Sequence, residues 1–277
     1  MLTARPARAQ LVSQVVDLAG QWQSRNHEDL MERGPGPLLG DYVGFPINAA
    51  ARQKADTWDP AVLSQLERQT QPHPAAYFMR GPRPDIRISD VRDPASEQLV
   101  ALTIVGMYGR ADRTIWLDGR PHPSEHAEHT WSGFSTGTFH GGELTVVTTH
   151  MKMGVIQRIG VPSSPYAVMT EHFFRHGTLL QMTTIITDPI YLEEPMVRSQ
   201  TWVLNPAQVI YPAPAFEAVD EVAGKEPGWV PHFQLGAQQT EFSQKSGLPL
   251  EATRGGKETM YPEFQLRLAQ LMAEKKK

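Results

Sequence analysis

Between Pro84 and Leu204 the chain runs through eight segments of strand character separated by turns, and that beat leaves few folds open. The segments are Pro84–Val91, Gln98–Tyr108, Arg113–Asp118, Trp131–Phe139, Glu143–Met151, Tyr166–Phe174, Thr178–Thr187 and Val197–Leu204. Two turns are explicit. His140-Gly141-Gly142-Glu143 and Arg175-His176-Gly177-Thr178 place glycine where a tight hairpin needs positive φ, between runs rich in Thr, Val, Ile and Phe. Eight strands joined as a meander close most readily into a barrel with room for one small ligand.

The expected fold is therefore mainly β: an eight-stranded antiparallel, lipocalin-like barrel with helical N- and C-terminal extensions. A single structural domain is expected, with residues 1–83 as an arm packed on the barrel, 84–205 as the barrel and 206–277 as an irregular extension. In the arm, Leu11, Val12, Val15, Val16 and Ala19 share one helical face, and Gly20 is placed to stop that helix. Tyr42 and Phe45 anchor an irregular stretch from Met31 to Pro46. Asn48 is placed to cap a helix over Ala49–Asp56, and Asp59-Pro60 opens a second through Gln69. Pro262 starts a last helix carrying Phe264, Leu266, Leu268 and Leu271. Two connections are long, Gly119–Thr130 and Lys152–Pro165, and long loops at a barrel mouth are where sites are assembled.

Charge and cysteine content narrow the function. The net charge is −4, and Lys and Arg are scattered apart from the last three lysines, so no basic stripe marks a nucleic-acid surface. With no cysteine, the chain has no disulfide, no thiolate metal ligand and no Cys nucleophile. No apolar run approaches the roughly 18 residues a membrane span requires. Ala7-Arg8-Ala9 resembles the end of a cleaved leader but follows no apolar core, so a cytoplasmic protein, or one whose leader has been removed, is expected. Gly133-Phe134-Ser135-Thr136-Gly137 spells a hydrolase elbow, yet lies in a strand and not in a strand-turn-helix turn. No phosphate-cradling glycine loop is present.

The candidate site residues come from strand faces and loops. Leu144, Val146, Thr148 and His150 share one face, and Glu171 and His172 point to opposite sides of their strand, so one of the two enters the lumen. A lumenal carboxylate or imidazole is either paired or a working acid or base. His150 and Glu171 are thus candidate bases, Tyr191 a proton relay, and Lys152 and Arg158 cations after the fifth strand. Trp131, Trp202, Trp116 and Tyr42 are candidate aromatic walls. His122, His126 and His129, spaced by four and three, admit a metal reading that Pro121 and Pro123 weaken, because a loop need not bring them together.

The stretches "GDYVGFPINAAARQKADTWD", "RQTQPHPAAYFMRGP", "RTIWLDGRPHP", "HTWSGFSTGTF", "VVTTHMKMGVIQRIGVPSS", "TEHFFRHG" and "DPIYLEEP" occur in order between Gly40 and Asn205. In these motifs the chain resembles a large family of bacterial proteins, common in soil and environmental bacteria, most of whose members have no assigned activity. The resemblance implies a secretory leader, a Cys at the position of Thr70 and another near Ala213. This chain carries neither Cys and shows no apolar leader core in its first residues, so a reducing compartment is expected. The chain also resembles cofactor-independent lyases and decarboxylases of lignin-degrading bacteria that convert phenylcoumaran-type dimers to stilbenes. That likeness implies a base, a cation near a developing phenolate and an aromatic wall, with no cofactor.

The leading expectation is a carbon–carbon lyase for a phenolic, lignin-derived dimer that loses its γ carbon as formaldehyde or carbon dioxide. The partner is then a small aromatic molecule, not nucleic acid or membrane, with a homodimer open. The alternatives are a carrier of a hydrophobic small molecule in the same barrel and a metal-dependent lyase or hydrolase built on His122, His126 and His129.

Overall fold

The computed structural model describes residues 15–25, 37–59, 72–79, 85–106, 112–157, 159–210 and 239–275. Nine strands close a barrel. They are β1 (Gly20–Arg25), β2 (Ile86–Arg92), β3 (Leu99–Gly106), β4 (Arg113–Trp116), β5 (Phe134–His140), β6 (Glu143–Thr149), β9 (Val168–His176), β10 (Leu179–Thr187) and β11 (Met196–Leu204). A separate hairpin, β7 (Gly154–Gln157) with β8 (Val161–Ser163), occupies the second long connection.

The eight expected strands are all there, shifted at their ends, and the barrel needs a ninth. β1 closes it by pairing antiparallel with both β2 and β11. The expected stop of a helix at Gly20 is therefore corrected: residues 15–19 are not helical, and Gly20 opens a strand. β1 has one inward apolar residue, the fully buried Trp22, so its alternation is too sparse to announce a strand. Its next inward position, Ser24, is held by Asp85, which accepts from the Ser24 amide at 2.7 Å and hydroxyl at 2.9 Å. The expected purely antiparallel order is also corrected, because β4 and β5 run parallel. A parallel pair cannot be joined by a tight hairpin, which is what the long loop over 117–133 accommodates.

Every strand of the barrel sends at least one apolar side chain into a common lumenal core. Trp22, Ile86, Leu102, Ile115, Phe139, Val146, Phe173, Met182 and Trp202 belong to it, one from each strand in turn. The lumen is thus a packed interior, as small barrels commonly are.

One end of the barrel is closed by the chain around it. Helix α1 (Ala49–Ala55) is capped as expected, with the Ala51 amide donating to Asn48 Oδ1 at 3.0 Å. Its buried face joins Tyr42, Phe45, Ile47, Ile156, Val161, Met169, Ile186, Tyr191 and Met196 in a second apolar cluster. Helix α2 (Ala75–Phe78) packs against β7. The C-terminal part is helical, with α3 (Glu241–Ser246), α4 (Leu250–Thr253), a 3-10 turn over Lys257–Met260 and α5 (Phe264–Lys275). Pro262 does precede α5, as expected. The expected helices over Gln10–Ala19 and from Asp59-Pro60 to Gln69 lie largely outside the described residues.

A buried clamp ties this C-terminal part to the arm. Asp56, 3 % exposed, accepts from the Tyr42 hydroxyl and pairs with Arg254. Arg52 Nη1 reaches the Gly255 carbonyl at 3.1 Å. Burial pushes the Tyr42 phenol up to about 12, against the pull of Arg254 and Arg52.

Candidate functional site

The structure divides the expected site residues between the lumen, the arm and an outer rim. Glu171 is the lumenal member of its pair, opposite Val146 and Thr184, while His172 faces outward and bonds Glu143 through Nδ1. Glu171 is fully buried and takes both its oxygens to Arg113. Arg113 also donates from Nε to Ser135 Oγ at 3.0 Å and from Nη2 to Thr148 Oγ1 at 2.6 Å. This fits a counter-ion sealed between apolar layers better than a base that reaches substrate. Arg113 was legible as lumenal, since it shares a face with Ile115, but its pairing with Glu171 crosses β5 and β6.

Trp202 lies in the lumenal core, and Tyr191 in the apolar cluster at the closed end, where Lys54 Nζ sits 5.6 Å from its ring centre. Tyr42 is committed to Asp56. None of these three meets His150. Arg158 lies outside the described residues.

His150 moves to the other side of the wall from the one its spacing implies. Its φ of 58° is left-handed, which ends β6 and turns the ring away from the lumen. Strict alternation would put it beside Thr148. Instead Nδ1 meets the outward Thr149 Oγ1 at 2.7 Å, and Nε2 meets the Ser124 carbonyl at 2.8 Å. A non-glycine residue held in this conformation is strained, and such positions cluster at functional sites.

The loop over 117–133 brings partners to this outer face. His122 meets Thr149 Oγ1 through Nδ1 and Thr136 Oγ1 through Nε2, both at 2.8 Å, with Phe134 edge-on to its ring at 5.2 Å. Trp116 is the register partner of Thr136 and so flanks this end, with the Arg120 guanidinium 3.6 Å over its ring. Burial, and then the charge of His150, hold the His122 imidazole below the usual histidine range.

The loop then returns along the strand end. Thr130 forms a parallel bridge with Met151, its amide donating to the His150 carbonyl at 2.9 Å and its carbonyl accepting from the Lys152 amide at 2.8 Å. On either side of Thr130, His129 and Trp131 are fixed. His129 Nδ1 lies 3.0 Å from the Met151 carbonyl, and its ring centre is 5.1 Å from that of His150. A carbonyl only accepts, so Nδ1 carries the proton and the lone pair is on Nε2. No described residue bonds to that Nε2. The Lys152 ammonium lies 5.5 Å from the centre of the Trp131 ring. Gly154 lies between this ring and α2: a Cβ added there would fall 3.8 Å from Trp131 Cζ3 and 2.7 Å from Pro74 Cδ. The Trp131 carbonyl receives the Ala75 amide of α2 at 2.9 Å.

Of the expected residues, then, His150, Lys152 and Trp131 are brought together on the rim, with Trp116 at its far end. His129 was read only as a possible metal ligand; its signal was its place two residues before Trp131 in a segment that pairs with the end of β6. The three loop histidines do not converge. His126 is exposed beside Glu125 at 3.7 Å, and no group of three or more His, Asp or Glu among the described residues is placed to hold a metal. A separate cavity of about 520 Å³ lies among the C-terminal helices, lined by Arg254, Tyr261, Phe264, Arg267 and Leu271 among others, and contains none of the rim residues.

No family model matches the chain, and no curated protein matches it. No helix among the described residues is long and apolar enough to cross a membrane.

Proposed function

We propose that the chain is a cofactor-independent carbon–carbon lyase for a phenolic, lignin-derived dimer, and that it works at the outer rim. The observation that carries this reading is the rim's division of labour. His129 is pinned at Nδ1 with its Nε2 unbonded among the described residues, while Lys152 and the Trp131 ring, two positions further along the paired backbones, offer a cation and an aromatic face.

These parts match the needs of the reaction. A 4-hydroxyphenyl dimer that has opened to a quinone methide loses formaldehyde when a base takes the γ-hydroxyl proton. The γ C–O becomes the carbonyl of formaldehyde, the Cβ–Cγ electron pair becomes the Cα=Cβ double bond, and the ring regains aromaticity as a phenolate. His129 Nε2 is the base, Lys152 stabilises the phenolate, and Trp131 stacks on the ring. A γ-carboxylate substrate would lose carbon dioxide by the same electron flow. The carrier reading asks for an open lumen, and the lumenal side chains of all nine strands pack on one another instead.

The test is to incubate the purified protein, with nothing added, with phenolic β-5, β-1 and β-O-4 dimers, following stilbene absorbance and released formaldehyde or carbon dioxide. Stilbene from at least one dimer is expected, together with its loss in His129→Asn, whose amide can still donate to the Met151 carbonyl. No stilbene from any dimer, or full turnover in the variant, would overturn the proposal.

A further inference from the structure

Four polar side chains on the outer face of β5 and β6 form one continuous chain, Thr136–His122–Thr149–His150, and it ends on the backbone carbonyl of Ser124. The terminal carbonyl decides the direction of every bond. The Ser124 oxygen accepts only, so His150 Nε2 holds a proton and neutral His150 presents a lone pair at Nδ1. The Thr149 hydroxyl must then donate to His150 Nδ1, and its oxygen accepts from His122 Nδ1. His122 is left with a lone pair at Nε2, which accepts from the Thr136 hydroxyl. All four contacts are between 2.7 and 2.8 Å, so each is a full hydrogen bond.

We infer that this chain is a built proton relay that holds one proton and refuses a second. A proton arriving at His122 Nε2 makes an imidazolium that donates to both threonines, and the Thr136 hydroxyl turns to accept. The His122 Nδ1 proton can then pass to Thr149 as the Thr149 proton passes to His150 Nδ1. The charge moves to His150, and His122 becomes neutral with its proton on Nε2. No bond in the chain is lost in either state. With two protons, both Nδ1–H groups would point at the one Thr149 oxygen, whose own proton would have no acceptor in the chain, and two charges would face each other across it.

The surroundings bear on which end is occupied. His129 is the titratable group against the His150 ring, at 5.1 Å, and Phe134 covers an edge of His122. The other ionisable groups of the loop and of the strand end, Asp118, Arg120, Glu125, His126, Glu128 and Lys152, are exposed, with Arg120 paired to Asp118. When His129 is charged, repulsion favours the proton at His122, the end further along the chain. The relay thus gives the proposed base a neighbour that can move its charge away. It does not depend on the lyase reading, because its signature is in the imidazoles themselves.

The experiment is nitrogen NMR of the full chain labelled at its ten histidines, with His122→Asn and His150→Asn used to assign the two rings. At high pH the expected result is the Nδ1–H tautomer for His122 and the Nε2–H tautomer for His150. On acidification both rings should shift together over the first proton, with the second entering at least about one pH unit lower. Thr149→Val should abolish the joint step and leave two independent titrations, and Thr149→Ser should restore it. Reversed tautomers in the wild-type protein, or two rings that each take a full proton over the same range, would overturn the inference. If Thr149→Val does not fold, the wild-type tautomers and the Thr149→Ser titration still decide it.

Discussion

The lumen and the rim carry the same kinds of side chain and use them in opposite ways. Inside the barrel, Arg113 and Glu171 are fully buried, and each nitrogen of the guanidinium is bonded, to Glu171, Ser135 or Thr148. On the rim, no described residue bonds to His129 Nε2, and Lys152 lies exposed beside Trp131. Charge alone therefore does not mark a working site. A saturated pair is a fixture of the fold, whereas a pinned group with one valence left open is equipped to act on something else.

The comparison can be broken most forcefully in the lumen. Glu171→Ala strands a buried guanidinium, and the expected loss is about 3–5 kcal/mol of stability. Chemical denaturation reads it, and a loss below about 1 kcal/mol would mean that Arg113 finds water. At the arm, Tyr42→Phe removes the donor to Asp56 and should cost about 1–3 kcal/mol, with rim activity per folded molecule unchanged. On the rim, Lys152→Met should leave the melting temperature where it is and lower turnover of a responsive phenolic dimer by about tenfold or more, read as a fall in kcat with KM little changed.

The smallest effect expected is on pH dependence. The His122 imidazole is held below the ordinary value of 6.5, so in the window under 6.5 the unfolded chain binds the proton that the folded chain refuses. Stability is whole above that window and falls as the pH drops through it. A melting temperature that declines below about pH 6.5 in the wild type, and less so in His122→Gln, would agree. At lower pH, Glu143 adds a second step. His172 and Thr145 hold its carboxyl below the usual range, so its contribution is present above 4.5 and disappears as the pH falls further.

The barrel was legible because seven of its strands run for seven to nine residues, most of them alternating, and two of its hairpins carry glycine at positive φ, as at Gly141, Gly142 and Gly177. β1 was not, since a six-residue strand with one apolar side chain looks like any polar stretch until β2 and β11 need a partner. The lumenal place of Glu171 was half legible: strand period set it against His172 but could not say which of the two turned inward. The rim was the least legible part. Period-2 reasoning put His150 on the face of Leu144, Val146 and Thr148, because nothing in the residue type forecasts a left-handed φ at the end of a strand. His129 came to the fore only through Met151, whose carbonyl fixes the tautomer, and a backbone acceptor leaves no trace in a motif.

The most direct test of the rim as the working surface pairs one activity with one stability measurement on His129→Asn. The account predicts that stilbene formation from a responsive phenolic dimer falls by about a hundredfold or more while the melting temperature holds. Turnover that survives the substitution, or that falls only in step with unfolding, would contradict it.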